Sequence, residues 1–188
     1  MSVPVRPLLA LLLAAPATGL AFAPVDSGLS PTLGEHVGPP SRVFRTHDDA
    51  QLRLSNESLA WQRFQSEFPS WTVRWDEATK TPLRMMGAGL NIGPVDSDED
   101  AALTSALFLE ELEGLMQIRS DELVPFVNVL RGDQRYVFFQ RTVAGIPVEG
   151  AFVQLRFKFG KLVMIGLESH PMAGSVSTTP RLHPERAL

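Results

Sequence analysis

The sequence predicts an α+β domain in which one long helix lies on an antiparallel meander sheet. Three observations carry this expectation. A capped apolar segment, "DSDEDAALTSALFLEELEGLMQI", is long enough to cross a sheet. Four strand-like segments follow it. They are joined by "RGDQ", "AGIP" and "FG", connections too short for anything but antiparallel neighbours.

The first helix is expected in "SNESLAWQRFQSEFPSW", with Ser55 or Asn56 as N-cap and Ser58 three residues on. Leu59, Ala60, Phe64 and Phe68 share a face, and Pro69 ends the helix because the residue before a proline avoids helical angles. "TVRWDEATKTPLRMMG" reads as a hairpin turning at "DEATKTP", and "GAGLNIGP" reads as loop. Trp61, Trp71 and Trp75 are expected in the core rather than on a binding platform.

Asp96 or Ser97 caps the long helix. Asp98, Glu99 and Asp100 fill its first turn, where acids complement the helix dipole. Its predicted buried stripe runs through Ala102, Leu103, Ala106, Leu107, Leu109, Glu110, Leu112 and Leu115. The strands are expected in "ELVPFVNVL", "RYVFFQRTV", "VEGAFVQLRF" and "KLVMIGLES". In the third, Ala151, Val153, Leu155 and Phe157 face the core and alternate with the wetter Phe152, Gln154, Arg156 and Lys158. Val163, Ile165 and Leu167 continue the buried side in the fourth. This layout is close to the cystatin-like arrangement.

The ends read differently. Residues 1–21 have the grammar of a secretory signal peptide: Arg6, an apolar run from Leu8 to Ala15, then small residues. Cleavage after Ala21 is preferred to cleavage after Ala23, which would put Pro24 just beyond the cut. The expected product is exported and has no membrane span, since no later apolar run reaches ~18 residues. Residues 22–45 are Pro-, Gly- and Ser-rich and read as a flexible linker. The folded domain is expected over 46–170, and 171–188 as a second linker.

Composition excludes several chemistries. The 188 residues carry a formal net charge of −4 and no cysteine. The charge argues against nucleic acid as a partner. The missing cysteines remove disulfides, thiolate nucleophiles and Cys-based zinc sites. His36, His47, His170 and His183 are too dispersed for a zinc motif. No nucleophile elbow or phosphate loop is present. Neither catalytic residues nor a cofactor is therefore expected in this chain, and the reading turns to binding.

The segment "FFQRTVAGIPVEGAFVQLRF", residues 138 to 157, is the most specified stretch. Together with "WTVRWDEATKTPLRMMGAGL" and "FLEELEGLMQI" it resembles the FTP domain, the fungalysin/thermolysin propeptide module. The matching positions are Phe138, Gln140, Gly145, Ile146, Pro147, Val148, Gly150 and Gly160. "PRLHPERAL" is similar to the spacer leading into a PepSY domain. The resemblance covers about residues 50 to 188.

It implies a propeptide that helps a secreted zinc metallopeptidase fold and holds it inactive. The partners implied are the cognate catalytic domain, in cis, and a PepSY domain. Zinc and calcium are expected only in that catalytic domain. No catalytic domain follows Leu188, which points to a fragment of a longer precursor; a decayed gene or a stand-alone secreted cystatin-like binding protein or protease inhibitor are the alternatives. Phe138, Gln140, Gly145, Ile146, Pro147, Val148 and Gly150 are the candidates for contacting the protease or for shaping the hairpin. On the residues alone, Gly145 supplies a backbone freedom other residues lack. Pro147 fixes the corner, and Gln140 can brace it through backbone groups.

Overall fold

The structure, a computed structural model, describes residues 46–168. The signal peptide expected over 1–21, the linker over 22–45 and the second linker over 171–188 lie outside the described residues. So do residues 169 and 170 of the expected domain.

The described residues form an α+β domain. In chain order they give α1 (Asp48–Glu57), α2 (Leu59–Glu67), β1 (Thr72–Asp76), β2 (Thr81–Leu90), α3 (Asp98–Glu111), α4 (Glu113–Met116), a 3-10 turn (Ser120–Glu122), β3 (Leu123–Arg131), β4 (Gln134–Val143), β5 (Ile146–Lys158) and β6 (Lys161–Glu168). One six-stranded sheet takes the order β1-β2-β6-β5-β4-β3, and every pair is antiparallel. Strands β3 to β6 form the expected meander. The β1–β2 hairpin, expected as a hairpin, extends the same sheet through β2 and β6.

Several expectations need correcting. Ser58, not Ser55 or Asn56, caps α2, accepting from the backbone N–H of Trp61. Ser55 instead sits inside α1, a helix the apolar pattern does not announce. Its hydroxyl donates to the Gln51 carbonyl and accepts from the Trp75 indole N–H. The segment "GAGL" is not loop, because β2 runs through Leu90. A Cβ on Gly87 would lie 2.5 Å from the Trp71 ring, so the glycine makes room for that indole.

The predicted stripe holds in part: Ala102, Leu109, Leu112 and Leu115 are buried, but the core face of α3 is turned so that three of its members point outward. Leu103 and Leu107 are exposed at 53% and 54%. The face turned to the core carries Ala101, Ala102, Thr104, Ser105, Phe108 and Leu109. Thr104 satisfies its hydroxyl on the Pro94 carbonyl at 2.7 Å. In β6 a register shift puts Leu162 rather than Val163 in the core, beside Ile165 and Leu167. Ser97 does cap α3, accepting from the Asp100 N–H.

Helices and sheet share one apolar core. Trp61, Trp71 and Trp75 are buried within it, with Phe139, Leu155, Phe157 and Ile165 from the strands. Burying each such side chain contributes roughly 1.5–3 kcal/mol. Among the described residues no helix is long and apolar enough to cross a membrane.

Candidate functional site

The β4–β5 hairpin holds all the sequence-predicted site residues, but in two places. Val143 pairs with Ile146 across a two-residue turn, Ala144-Gly145, in which both residues have positive φ (50° and 78°). That is the backbone of the tight turn whose twist matches flanking strands. Ile146 and Pro147 begin β5 instead of belonging to the corner. Ile146 is 50% exposed at the hairpin tip, and Pro147 pairs with Thr142.

Below the tip the ladder is interrupted. Thr142 pairs with Pro147, yet Gln140 pairs with Phe152. Residues Val148 to Ala151 therefore face a single residue, Arg141, and form a long bulge. Gly150 supplies the φ of 69° that the bulge needs. Gln140 holds it together: its Nε2 donates to the Val148 carbonyl at 2.6 Å and the Ala151 carbonyl at 2.9 Å. The side-chain amide thus stands in for missing ladder partners.

Phe138 and Gln140 lie on the sheet face turned away from the helices. Cross-strand partners share a face, so this face can be followed rung by rung. One rung is Arg74, Arg84, Gly166, Gln154, Phe138, Val127. The next is Thr72, Met86, Met164, Arg156, Tyr136, Val129. Glu168, Phe152, Gln140 and Val124 form a third, and Lys158, Gln134 and Arg131 a fourth.

Aromatic rings hold the middle. Phe126 meets Phe138 edge-on and Phe138 meets Phe152 at a tilt, with centroids 5.9 Å apart at each step, and the Arg156 guanidinium lies 5.0 Å from the Tyr136 ring centre. Phe126 and Phe152 escape a motif-based reading. Phe152 was legible as a member of the wetter alternating set. Phe126 sits at a register shift in β3 that the sequence does not disclose.

On the covered face the cations are neutralised. Arg135 pairs with Asp98 at the start of α3 and bonds the Asn128 side chain, and Arg141 pairs with Glu122 at 2.8 Å. Outside the sheet, Glu77 in the β1–β2 turn accepts from the His47 ring at 2.9 Å and from the His47 backbone N–H at 2.6 Å. These bonds hold the Glu77 carboxyl down at about 2, and the bond to Glu77 raises the His47 imidazole above its ordinary 6.5. The bond from Ser120 likewise lowers Glu113.

Among the described residues no three His, Cys, Asp or Glu side chains converge to hold a metal. A cleft of about 200 Å³ lies between α3 and the β3–β4 edge, lined by Ala106, Leu109, Leu123 and Phe139 with the carboxylates Glu110 and Asp121. It is smaller than ordinary cofactor pockets, which begin near 300 Å³. The features assembled here are a rigid hairpin and a broad aromatic sheet face.

No protein-family model matches the sequence, and no curated protein matches it. Among solved structures, the Bacillus megaterium YpeB C-terminal domain is similar at 12% identity and a TM-score of 0.41, over 76% of this chain and 73% of that chain.

Proposed function

We propose that this chain is a secreted propeptide domain of the FTP type, of cystatin-like shape, that chaperones and inhibits a thermolysin- or fungalysin-like zinc metallopeptidase. The observation that carries the reading is the Gln140 clamp on the β4–β5 hairpin. The resemblance rests on the spacing of Gln140 from Gly145-Ile146-Pro147-Val148, and in the structure those residues act together. Gln140 binds the Val148 carbonyl, Gly145 makes the turn, and Ile146 is held exposed. A protease fold rich in non-local contacts forms slowly, and a preformed complementary surface lowers that barrier. The chain itself supplies no catalytic group in this reading. Its partner is the catalytic domain, in cis, with a PepSY domain between them.

The test has two parts. DNA beyond the Leu188 codon is read for an in-frame H-E-x-x-H segment. The purified chain is then assayed at about 10 µM, enough to reveal a micromolar inhibitor, against zinc endopeptidases on a peptide substrate. The expected results are an in-frame zinc motif and inhibition that Gln140→Ala weakens. A stop codon with no protease gene nearby, together with no inhibition, would sink the proposal.

A further inference from the structure

The two outer faces of the domain are complementary in charge and shape. The open sheet face has an apolar centre of Phe126, Phe138, Phe152 and Tyr136. Around it stand Arg74, Arg84, Arg131, Arg156, Lys158 and Lys161, and among the described residues paired on these rungs Glu168 is the one carboxylate. Among the described residues none of these cations forms an ion pair, whereas Arg135 and Arg141 on the covered face both do. Arg156 keeps a buried Nε with no hydrogen-bond partner.

The opposite side of the domain presents α3. This helix contains no lysine or arginine. Leu103 and Leu107, one turn apart, form an exposed apolar ridge, with Glu99 before it and the exposed Glu110 and Glu111 after it. The ridge is not used by the domain's own core, which takes the other side of the helix. Dimensions agree as well. The 14 residues of α3 span about 21 Å at 1.5 Å each, and six strands spaced ~4.8 Å apart make a face about 24 Å wide.

We infer that copies of this chain associate head to tail, the outer face of α3 in one copy seated on the open sheet face of the next. The Leu103–Leu107 ridge meets the aromatic centre, and Glu99, Glu110 and Glu111 meet the ring of cations. Because the two faces lie on opposite sides of one sheet, the contact is heterologous and leaves a free face at each end. Association is weakened by salt, which screens exposed charges beyond about 8–10 Å at physiological strength. The inference goes beyond the propeptide reading and does not depend on it.

Sedimentation velocity on the full chain tests it, from about 1 µM to about 1 mM to bracket a weak contact. Two variants keep the core intact: Arg84→Glu with Arg131→Glu on the sheet face, and Leu103→Gln with Leu107→Gln on the helix. All four positions are exposed, and circular dichroism confirms folding. The wild type is expected to grow in mass with concentration and to shrink with added salt. Each variant alone is expected to stay monomeric. An equimolar mixture of the two should give a one-to-one dimer and nothing larger, since each retains one working face. A wild type that is monomeric throughout overturns the inference and gives the sheet face to another segment of this chain or to a different protein. Variants that assemble like the wild type, or a mixture without the dimer, overturn it too.

Discussion

The side-chain nitrogen of Gln140 lies 2.6 Å from the backbone oxygen of Val148, across a bulge where the strand ladder supplies no partner. Losing that donor leaves half-buried carbonyls unpaired. Gln140→Ala is expected to cost about 1–3 kcal/mol of unfolding free energy. Gln140→Glu should cost more at neutral pH, because a carboxylate cannot donate and would face the carbonyl oxygens of Arg141, Val148 and Ala151. Lowering the pH restores a donor and should narrow the gap between the two variants. Urea unfolding at pH 4 and pH 7 measures both effects; equal losses for Ala and Glu at both pH values would show that the amide does not clamp the bulge.

Trp71 and Gly87 make the second prediction. Any Cβ at position 87 would overlap the indole, a buried group with little room to move. Gly87→Ala is expected to destabilise by about 1–3 kcal/mol through overpacking. Gly114 has open space around it, so Gly114→Ala in α4 serves as the control and should be neutral or mildly stabilising. Thermal midpoints of the two variants give the comparison.

Ala144 adopts a left-handed φ of 50° beside Gly145. An alanine there is strained by about 1–2 kcal/mol, and asparagine tolerates the conformation better. Ala144→Asn is therefore expected to raise stability by about 0.5–1 kcal/mol. Gly145→Val acts in the opposite direction, since a β-branched side chain resists a φ of 78° although no atom blocks its Cβ. Calorimetric midpoints that move the same way for both variants would exclude the turn assigned here.

The His47–Glu77 pair sets a pH window. Glu77 has a folded value of about 2 against an ordinary 4.5, so it stabilises above 4.5 and loses this as pH falls toward 2. His47 is held above 6.5, so its contribution is full below 6.5 and fades as pH rises through its folded value. The pair is strongest between 4.5 and 6.5. The drop in thermal midpoint on Glu77→Gln should be largest near about pH 5.5 and smaller at pH 3 and pH 8.5. The exposed imidazole makes the total effect small. A drop that does not vary with pH would show that the pair carries no charge linkage.

Much of this fold is readable from local rules. Ser97 and the acids after it mark the start of α3, and the short turns between β3, β4, β5 and β6 dictate antiparallel neighbours. What escapes the sequence depends on distant contacts. Helix α1 buries only Leu54 and is tied down by Gln51, whose amide bonds both the N–H and the carbonyl of Trp75. No apolar period reveals such a helix. Strand β2 carries Gly87 because the Trp71 indole needs the space. In α3 the small residues Ala101 and Ser105 let the helix approach the sheet, which turns Leu103 and Leu107 outward. At the candidate site, Gln140 and Gly145 were legible as a motif. Of the open-face cations, Arg156 and Lys158 were legible from the alternation of their strand; Arg74, Arg84, Arg131 and Lys161 were not, because four other strands contribute them.

The place of β6 inside the sheet fixes a timetable for synthesis. Arg84 of β2 pairs with Gly166, near the end of β6, the last strand among the described residues. On the ribosome the β1–β2 hairpin must wait, one edge bare, while β3, β4 and β5 are made. The domain closes only once Glu168 has cleared the exit tunnel. A message broken before the codon for Leu162 would release two partial sheets with open edges, the kind of nascent chain that holdase chaperones and proteases intercept.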